Sequence, residues 1–284
     1  MIDLVDAARP VKLYGVDVFG RFFVVVESID GQLYQVKFNG ADTTSNQNEF
    51  IGYMIAKECG VPVTGGVMLR FSEEMLERIA QRVLEKYGHT VPLDIYKENV
   101  LFGSKWEDDS VTPSSDVHLR DLLADCRNKN EFYSIFPYDQ YLRNYDRHHG
   151  NHLILKEGRN KKPSFYTAID TDRIFGAVNW GMAEIEKDKI ECFPHPFHQF
   201  LYELIDNASF TEVFRSAVRI EQIPSEYLNS IVDAVEHFYE CDNDKLGIIR
   251  QFLLDRKSKI SDECVKASCF KNVTQKGLHA SHNQ

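Results

Sequence analysis

The segment Asn144-Tyr145-Asp146-Arg147-His148-His149-Gly150-Asn151 brings an acid, two amides and two imidazole rings close together. Asp146 could orient a hydroxyl, and Asn151, five residues later, could offer an oxygen to a metal. Nineteen residues beyond Asn151 comes a second acidic element, Ile169-Asp170-Thr171-Asp172. An Asp, an Asn and an Asp at this spacing are what ATP-dependent phosphoryl transfer asks for. One carboxylate meets the acceptor hydroxyl, and two oxygen ligands hold the Mg²⁺ that rides on the phosphates. The rest of the chain must then supply a lysine, a partner glutamate and a nucleotide cleft.

The elements that would carry these residues follow from local pattern. Phe22 to Val26 is β-branched and aromatic and reads as a strand, Asp30-Gly31 as a hairpin turn, and Leu33 to Phe38 as the returning strand. Asn39 to Asn48 reads as a polar loop. A helix with Phe50, Ile51, Met54 and Ile55 on one face follows and stops at Gly60. Val61 to Val63 and Val67 to Leu69 read as an extended pair. Ser72 caps a helix that presents Met75, Ile79, Val83 and Leu84 to the core, and Asn99 to Ser104 is a further strand. Glu107 to Asp116 reads as a loop or linker.

Beyond it the chain turns helical: Val117 to Cys126, Glu131 to Leu142, Phe197 to Ile205, Phe210 to Val218, Ser225 to Tyr239 and Asp244 to Ile260. The strands His152 to Leu155 and Phe165 to Ile169 interrupt this run. With a turn centred near residue 160, antiparallel pairing puts Asn151 and Asp170 at the same end of that hairpin. Asp146 lies on the loop feeding that end. The expected plan is α+β and two-lobed: a strand-rich N-lobe over residues 1–104, a mainly helical C-lobe over 105–265 with the cleft between them, and a flexible tail over 266–284.

Composition narrows the function classes. The chain has 284 residues, 43% of them apolar, enough for a large core. A net charge of −10 argues against a nucleic-acid partner. No apolar run is long enough to span a membrane. Met1 to Asp6 lacks the basic start and apolar centre of a signal peptide, so a cytoplasmic protein is expected. Its six cysteines form no CxxC pair and read as reduced thiols.

Phe136-Pro137-Tyr138-Asp139-Gln140-Tyr141-Leu142-Arg143-Asn144-Tyr145-Asp146-Arg147-His148 resembles the catalytic-loop segment of HipA-like kinases, an aromatic-Asp-x-aromatic run followed by Asn-x-Asp-Arg. The Asp-Arg-His-x-x-Asn core also resembles phosphatidylinositol 3- and 4-kinases. Tyr34 to Phe38 resembles the family's strand with the ATP lysine. Asn48-Glu49-Phe50 resembles its Asn-Glu at a helix start, Gly60 to Val63 its Gly-x-Pro-x, and Phe102 to Lys105 its Phe-Gly-Ser near the lobe connection. The resemblance runs from about residue 10 to about residue 255. It implies a protein-kinase-like fold and an ATP- and Mg²⁺-dependent serine/threonine kinase. Lys37, Glu49, Gly15, Gly20 and Ser104 would serve ATP, with Glu49 holding Lys37. Asp146 would be catalytic, and Asn151 and Asp170 would bind the metal. The acceptor hydroxyl would belong to a protein, the chain itself included, or to a small molecule.

Two stretches depart from the pattern. Gly15-Val16-Asp17-Val18-Phe19-Gly20 is either a phosphate loop or a plain hairpin turn: it lacks the family's serine, and Asp17 would repel phosphates. Ile169-Asp170-Thr171-Asp172-Arg173 leaves Asp172 as a second or alternative metal ligand, although strand phase favours Asp170. Other readings are a nucleotide-binding pseudokinase and a metal nuclease using His148, His149, His152 and Asn160. The segment Cys192-Phe193-Pro194-His195-Pro196-Phe197-His198 offers too few ligands for zinc and reads as a loop.

Overall fold

The computed structural model describes residues 2–15, 21–40, 43–144, 146–157, 162–176, 180 and 207–264. Five strands of the N-terminal part close into a barrel in the order β1-β2-β3-β5-β4. They are β1 (Leu4–Leu13), β2 (Phe22–Ser28), β3 (Leu33–Phe38), β4 (Gly66–Arg70) and β5 (Val100–Lys105). β2 and β3 form the expected hairpin, from Phe22 opposite Phe38 to Glu27 opposite Leu33. Gly31 takes the left-handed conformation at its turn, with φ 81°. A parallel pairing of β1 with β4, from Leu4 opposite Met68 to Asp6 opposite Arg70, closes the ring.

β1 is not legible in the sequence. Most of its side chains face solvent, so no apolar alternation marks it, and Pro10 sits beside a register shift. Its pairing comes from backbone groups supplied by β2 and β4.

α1 (Ser45–Cys59) packs on β3 and β5 and ends, as expected, at a left-handed Gly60 with φ 74°. It starts inside the stretch expected to be loop. Its first turn includes Asn46 and Asn48, weak helix formers whose side chains are buried and bonded. Asn46 Nδ2 donates to the carbonyls of Lys37 and Phe102, at 2.7 and 2.9 Å, and Asn46 Oδ1 accepts from Tyr239 Oη at 2.6 Å. Tertiary hydrogen bonds override local propensity here.

Ser72 caps α2 (Glu73–Tyr87) by accepting from Met75 N at 3.2 Å. Its inner face is Leu76, Ile79 and Val83, whereas Leu84, expected in the core, is 47% exposed. The expected pairing of Val61 to Val63 with Val67 to Leu69 is replaced by another contact. Val63 forms a parallel bridge to Ala168, and Pro62 O accepts from Ala168 N at 2.7 Å.

The second sheet has the order β6-β7-β8, from β6 (Ser110–Val111), β7 (His152–Glu157) and β8 (Lys162–Ala168). β6 falls in the expected linker. α3 (Asp116–Ala124) precedes a 3₁₀ turn over Lys129–Ser134 and α4 (Ile135–Leu142). The single helix expected over 131–142 is divided because Pro137 has no N–H and its ring clashes with the carbonyl four residues back. α5 (Asn207–Gln222), α6 (Ser225–Phe238) and α7 (Asn243–Lys257) complete the fold. The helix expected over 197–205 and the tail 266–284 lie outside the described residues. Among the described residues Cys59, Cys126 and Cys241 are free thiols. No helix among the described residues is long and apolar enough to cross a membrane.

One buried cluster joins the barrel, α1 and the helices of the second half. Ile55 on α1 is fully enclosed in it. Truncating Ile55 to Ala is expected to cost about 2–5 kcal/mol, read as a lower urea midpoint with an unchanged denaturant slope.

Candidate active site

α4 ends at Arg143, which takes a left-handed turn with φ 51° and releases the chain into the loop that carries Asp146. That loop is held from within by a buried ion pair. Arg147 Nε and Nη2 donate to the two oxygens of Asp139 at 2.9 Å each, and both side chains are 0% exposed. Asn144 Nδ2 adds a bond to Asp139 at 3.1 Å. The remaining arm of Arg147 reaches the carbonyls of Asn151 and Ile169, at 3.3 and 2.7 Å. One guanidinium thus ties α4 to the start of β7 and the end of β8. Arg147 stays charged because the Asp139 carboxylate beside it outweighs the burial that would otherwise discharge it.

β7 and β8 pair as the sequence implies, with His152 opposite Ala168. Ile169 N donates to Asn151 O at 3.0 Å, so Asn151 and Asp170 share one end of the hairpin. Asn151 Oδ1 accepts from His148 N at 3.0 Å, which fixes the amide orientation. Asp170 leaves the strand in a left-handed conformation, with φ 65°.

Lys37 is the meeting point of the two halves. From β3 its ammonium donates to Glu49 Oε1 at 2.7 Å and to Asp170 Oδ1 at 2.5 Å, and it stands 3.8 Å from Asp172. Glu49 also accepts from Thr171 N at 2.9 Å, so α1 and the acidic segment are joined twice. Burial pulls the Lys37 ammonium down, but the carboxylates of Asp170, Asp172 and Glu49 outweigh it and hold the pKa above the ordinary lysine value. Burial would raise Asp170, yet Lys37 and bonds from Asp172 and Lys37 keep it well below the carboxylate range. Asp172 is pushed up to about 7 by burial, with Lys37 and Arg21 pulling against it and the charges of Asp170 and Glu49 adding to it. Arg21, at the start of β2, holds Asp172 Oδ2 at 2.6 Å. Asn48 Nδ2 holds the Asp172 carbonyl at 2.8 Å, and Trp180 Nε1 donates to Asn48 at 2.7 Å.

Glu49, Asp170 and Ser104 line one cleft, which Tyr53, Phe102 and Ile169 make partly apolar. Asp146 is not joined to Arg147. Its carboxylate meets Arg173 Nη1 at 3.3 Å. Gly15 follows the end of β1, while residues 16–20, Gly20 among them, lie outside the described residues. So do Asn160 and the Cys192–His198 segment. His148 caps the turn by accepting from Gly150 N, His149 pairs with Asp116 at 3.4 Å, and His152 is buried 3.0 Å from Tyr166 Oη. Among the described residues no three His, Cys, Asp or Glu side chains form a metal-holding cluster.

No protein-family model matches this sequence, and no curated protein does. Solved structures do match its shape. The proinflammatory kinase CtkA of Helicobacter pylori superposes with a TM-score of 0.60 at 16% identity, over 95% of this chain and 99% of that one. The chain shares the fold of that kinase. HipA of the Shewanella oneidensis MR-1 toxin–antitoxin system also matches, with a TM-score of 0.45 at 13% identity, over 90% of this chain and 63% of that one.

Several residues of this site were not singled out by spacing. Asp139 carried a signal: it is the lone charge in the apolar helix Ile135–Leu142, where a carboxylate survives only with a partner. Arg21, Asn46 and Arg173 carried none, because their partners lie far away in sequence. Removing the acid by Asp139→Ala is expected to cost about 3–5 kcal/mol, since it strands the Arg147 charge in the interior. Urea unfolding monitored by tryptophan fluorescence measures the loss.

Proposed function

We propose that the protein is an ATP- and Mg²⁺-dependent kinase that transfers the γ-phosphoryl group to a hydroxyl. In this reading residues 1–104 and 105–265 are the two lobes, and the nucleotide enters between them. The observation that carries it is the Lys37 ammonium, bonded at once to Glu49 of α1 and to Asp170 at the hairpin end that also holds Asn151. A lysine so held is fixed in place and points its charge at one spot, as phosphate positioning requires.

Each residue then has a defined task. Lys37 binds and orients the phosphates, with Glu49 keeping it in place. Asp146 orients the acceptor hydroxyl and takes its proton. Ser104, Gly15 and Gly20 border the nucleotide. The donors near Asp170 suit Mg²⁺, which takes a few hard oxygen ligands and completes its shell with phosphate oxygens and water. Asp170 is ionised and 33% exposed, and the Asn151 amide oxygen keeps a lone pair beyond its bond to His148. These two residues would hold the ion, whose charge neutralises the phosphates. Asp172 is the weaker candidate because its carboxylate is held by Arg21 and is more enclosed than that of Asp170. The acceptor we favour is a serine or threonine of a protein, the chain itself included.

ADP release and self-labelling in the presence of ATP and Mg²⁺ test this reading. Asp146→Asn is expected to lower turnover by about 10²-fold or more while the fold persists. Asp170→Asn should weaken Mg²⁺-dependent nucleotide binding. Nucleotide binding with no turnover, the same in Asp146→Asn as in the native protein, would instead make the chain a nucleotide-binding module, for which Asp17 in the phosphate segment is the motive.

A further inference from the structure

Arg173 sits on the turn directly after Asp170 and Asp172 and reaches back to the loop that carries Asp146. Its Nη1 lies 3.3 Å from Asp146 Oδ1, with the two side chains 38% and 34% exposed. Its Nε is buried without a hydrogen-bond partner. The other cations around the site are engaged more deeply. Lys37 is shared among carboxylates, Arg21 is 10% exposed on Asp172, and Arg147 is sealed against Asp139. Among the described residues of the site, Arg173 is thus a cation that combines partial exposure, an unpaired donor and contact with the acid meant for the acceptor.

We propose that Arg173 is a further catalytic residue, whose guanidinium spans Asp146 and the phosphoryl group in transfer. The inference rests on the kinase reading above. In the step, a lone pair on the acceptor hydroxyl oxygen forms the new O–P bond to the γ-phosphorus. The bond from that phosphorus to the β–γ bridging oxygen breaks, and its electron pair leaves on ADP. The hydroxyl proton passes to Asp146. Arg173 neither gains nor loses a proton. One arm of its fork holds one oxygen of Asp146, which leaves the other oxygen for the proton. The donors that remain face the negative charge spread over the equatorial oxygens. A half-exposed ion pair contributes little to folding, so an Arg173 variant remains folded and its kinetics can be read directly.

The test uses the full chain with ATP and Mg²⁺, and compares the native protein with Arg173→Ala and Arg173→Lys. ADP release separates kcat from the KM for ATP. ADP affinity is measured with and without aluminium fluoride, a planar mimic of the phosphoryl group in flight. Arg173→Ala is expected to lower kcat by about 10²-fold or more with little change in KM, and to abolish the tightening of ADP by aluminium fluoride. Arg173→Lys should retain part of the rate, and added ethylguanidinium should restore part of it to Arg173→Ala. An unchanged kcat, a loss confined to KM, or a kcat loss that neither Lys nor ethylguanidinium relieves while aluminium fluoride still tightens ADP would overturn the proposal. If the native protein releases no ADP, the kinase reading itself fails and the proposal falls with it. If the native protein turns over and Arg173→Ala is unimpaired, the proposal fails alone.

Discussion

The arrangement of the site depends on one buried ion pair, Arg147 with Asp139. Two charges withdrawn from water are tolerable only when nearly every polar atom finds a partner, and here they do so in a particular way. Asp139 takes both parallel bonds of the guanidinium and a third from Asn144, while the free arm of Arg147 binds two carbonyls, one on each side of the hairpin end. The described residues of this loop, Asn144 and Asp146 to Asn151, are therefore held at several points, although they form no long regular element. What flanks Arg147 in sequence, Asp146 before it and Asn151 after it, is placed by a residue whose own role is structural.

A second charge cluster sits above this base and has the opposite character. Around Lys37 the carboxylates of Glu49, Asp170 and Asp172 converge on one ammonium, and Arg21 is a second cation on Asp172. Asp170, pushed low, and Asp172, pushed up to about 7, differ because Asp170 faces Lys37 directly while Asp172 is buried more deeply behind it. The same acidic segment is stitched to α1 through Glu49 and Asn48 and to β2 through Arg21. A shift of any one of these elements would reach the others through charge, not only through packing.

The hydrogen-bond network at the start of α1 links this cluster to the C-terminal helices. Asn46 holds the carbonyl of Lys37 and both polar groups of Phe102, and the hydroxyl of Tyr239, at the end of α6, holds Asn46. Helices remote in sequence from β3 thereby help to set the position of its lysine. This explains why a polar stretch that reads as loop is helical from Ser45 onward.

The sequence by itself determined the strand-then-helix order, the β2–β3 hairpin, the helix stop at Gly60 and the registry that puts Asn151 beside Asp170. These rest on period, turn chemistry and short-range pairing, which act between near neighbours. Lys37 and Glu49 were picked out only through the resemblance to HipA-like kinases, and the structure joins them at 2.7 Å. The tertiary structure alone decided the rest. It gave Asp146 the partner Arg173 in place of its neighbour Arg147, sent Arg21 to Asp172, docked Pro62 on β8 and closed the barrel with the largely exposed strand β1. Each of these is a contact between residues far apart along the chain. It carries no local period and exists only once the core has brought both partners to the same place.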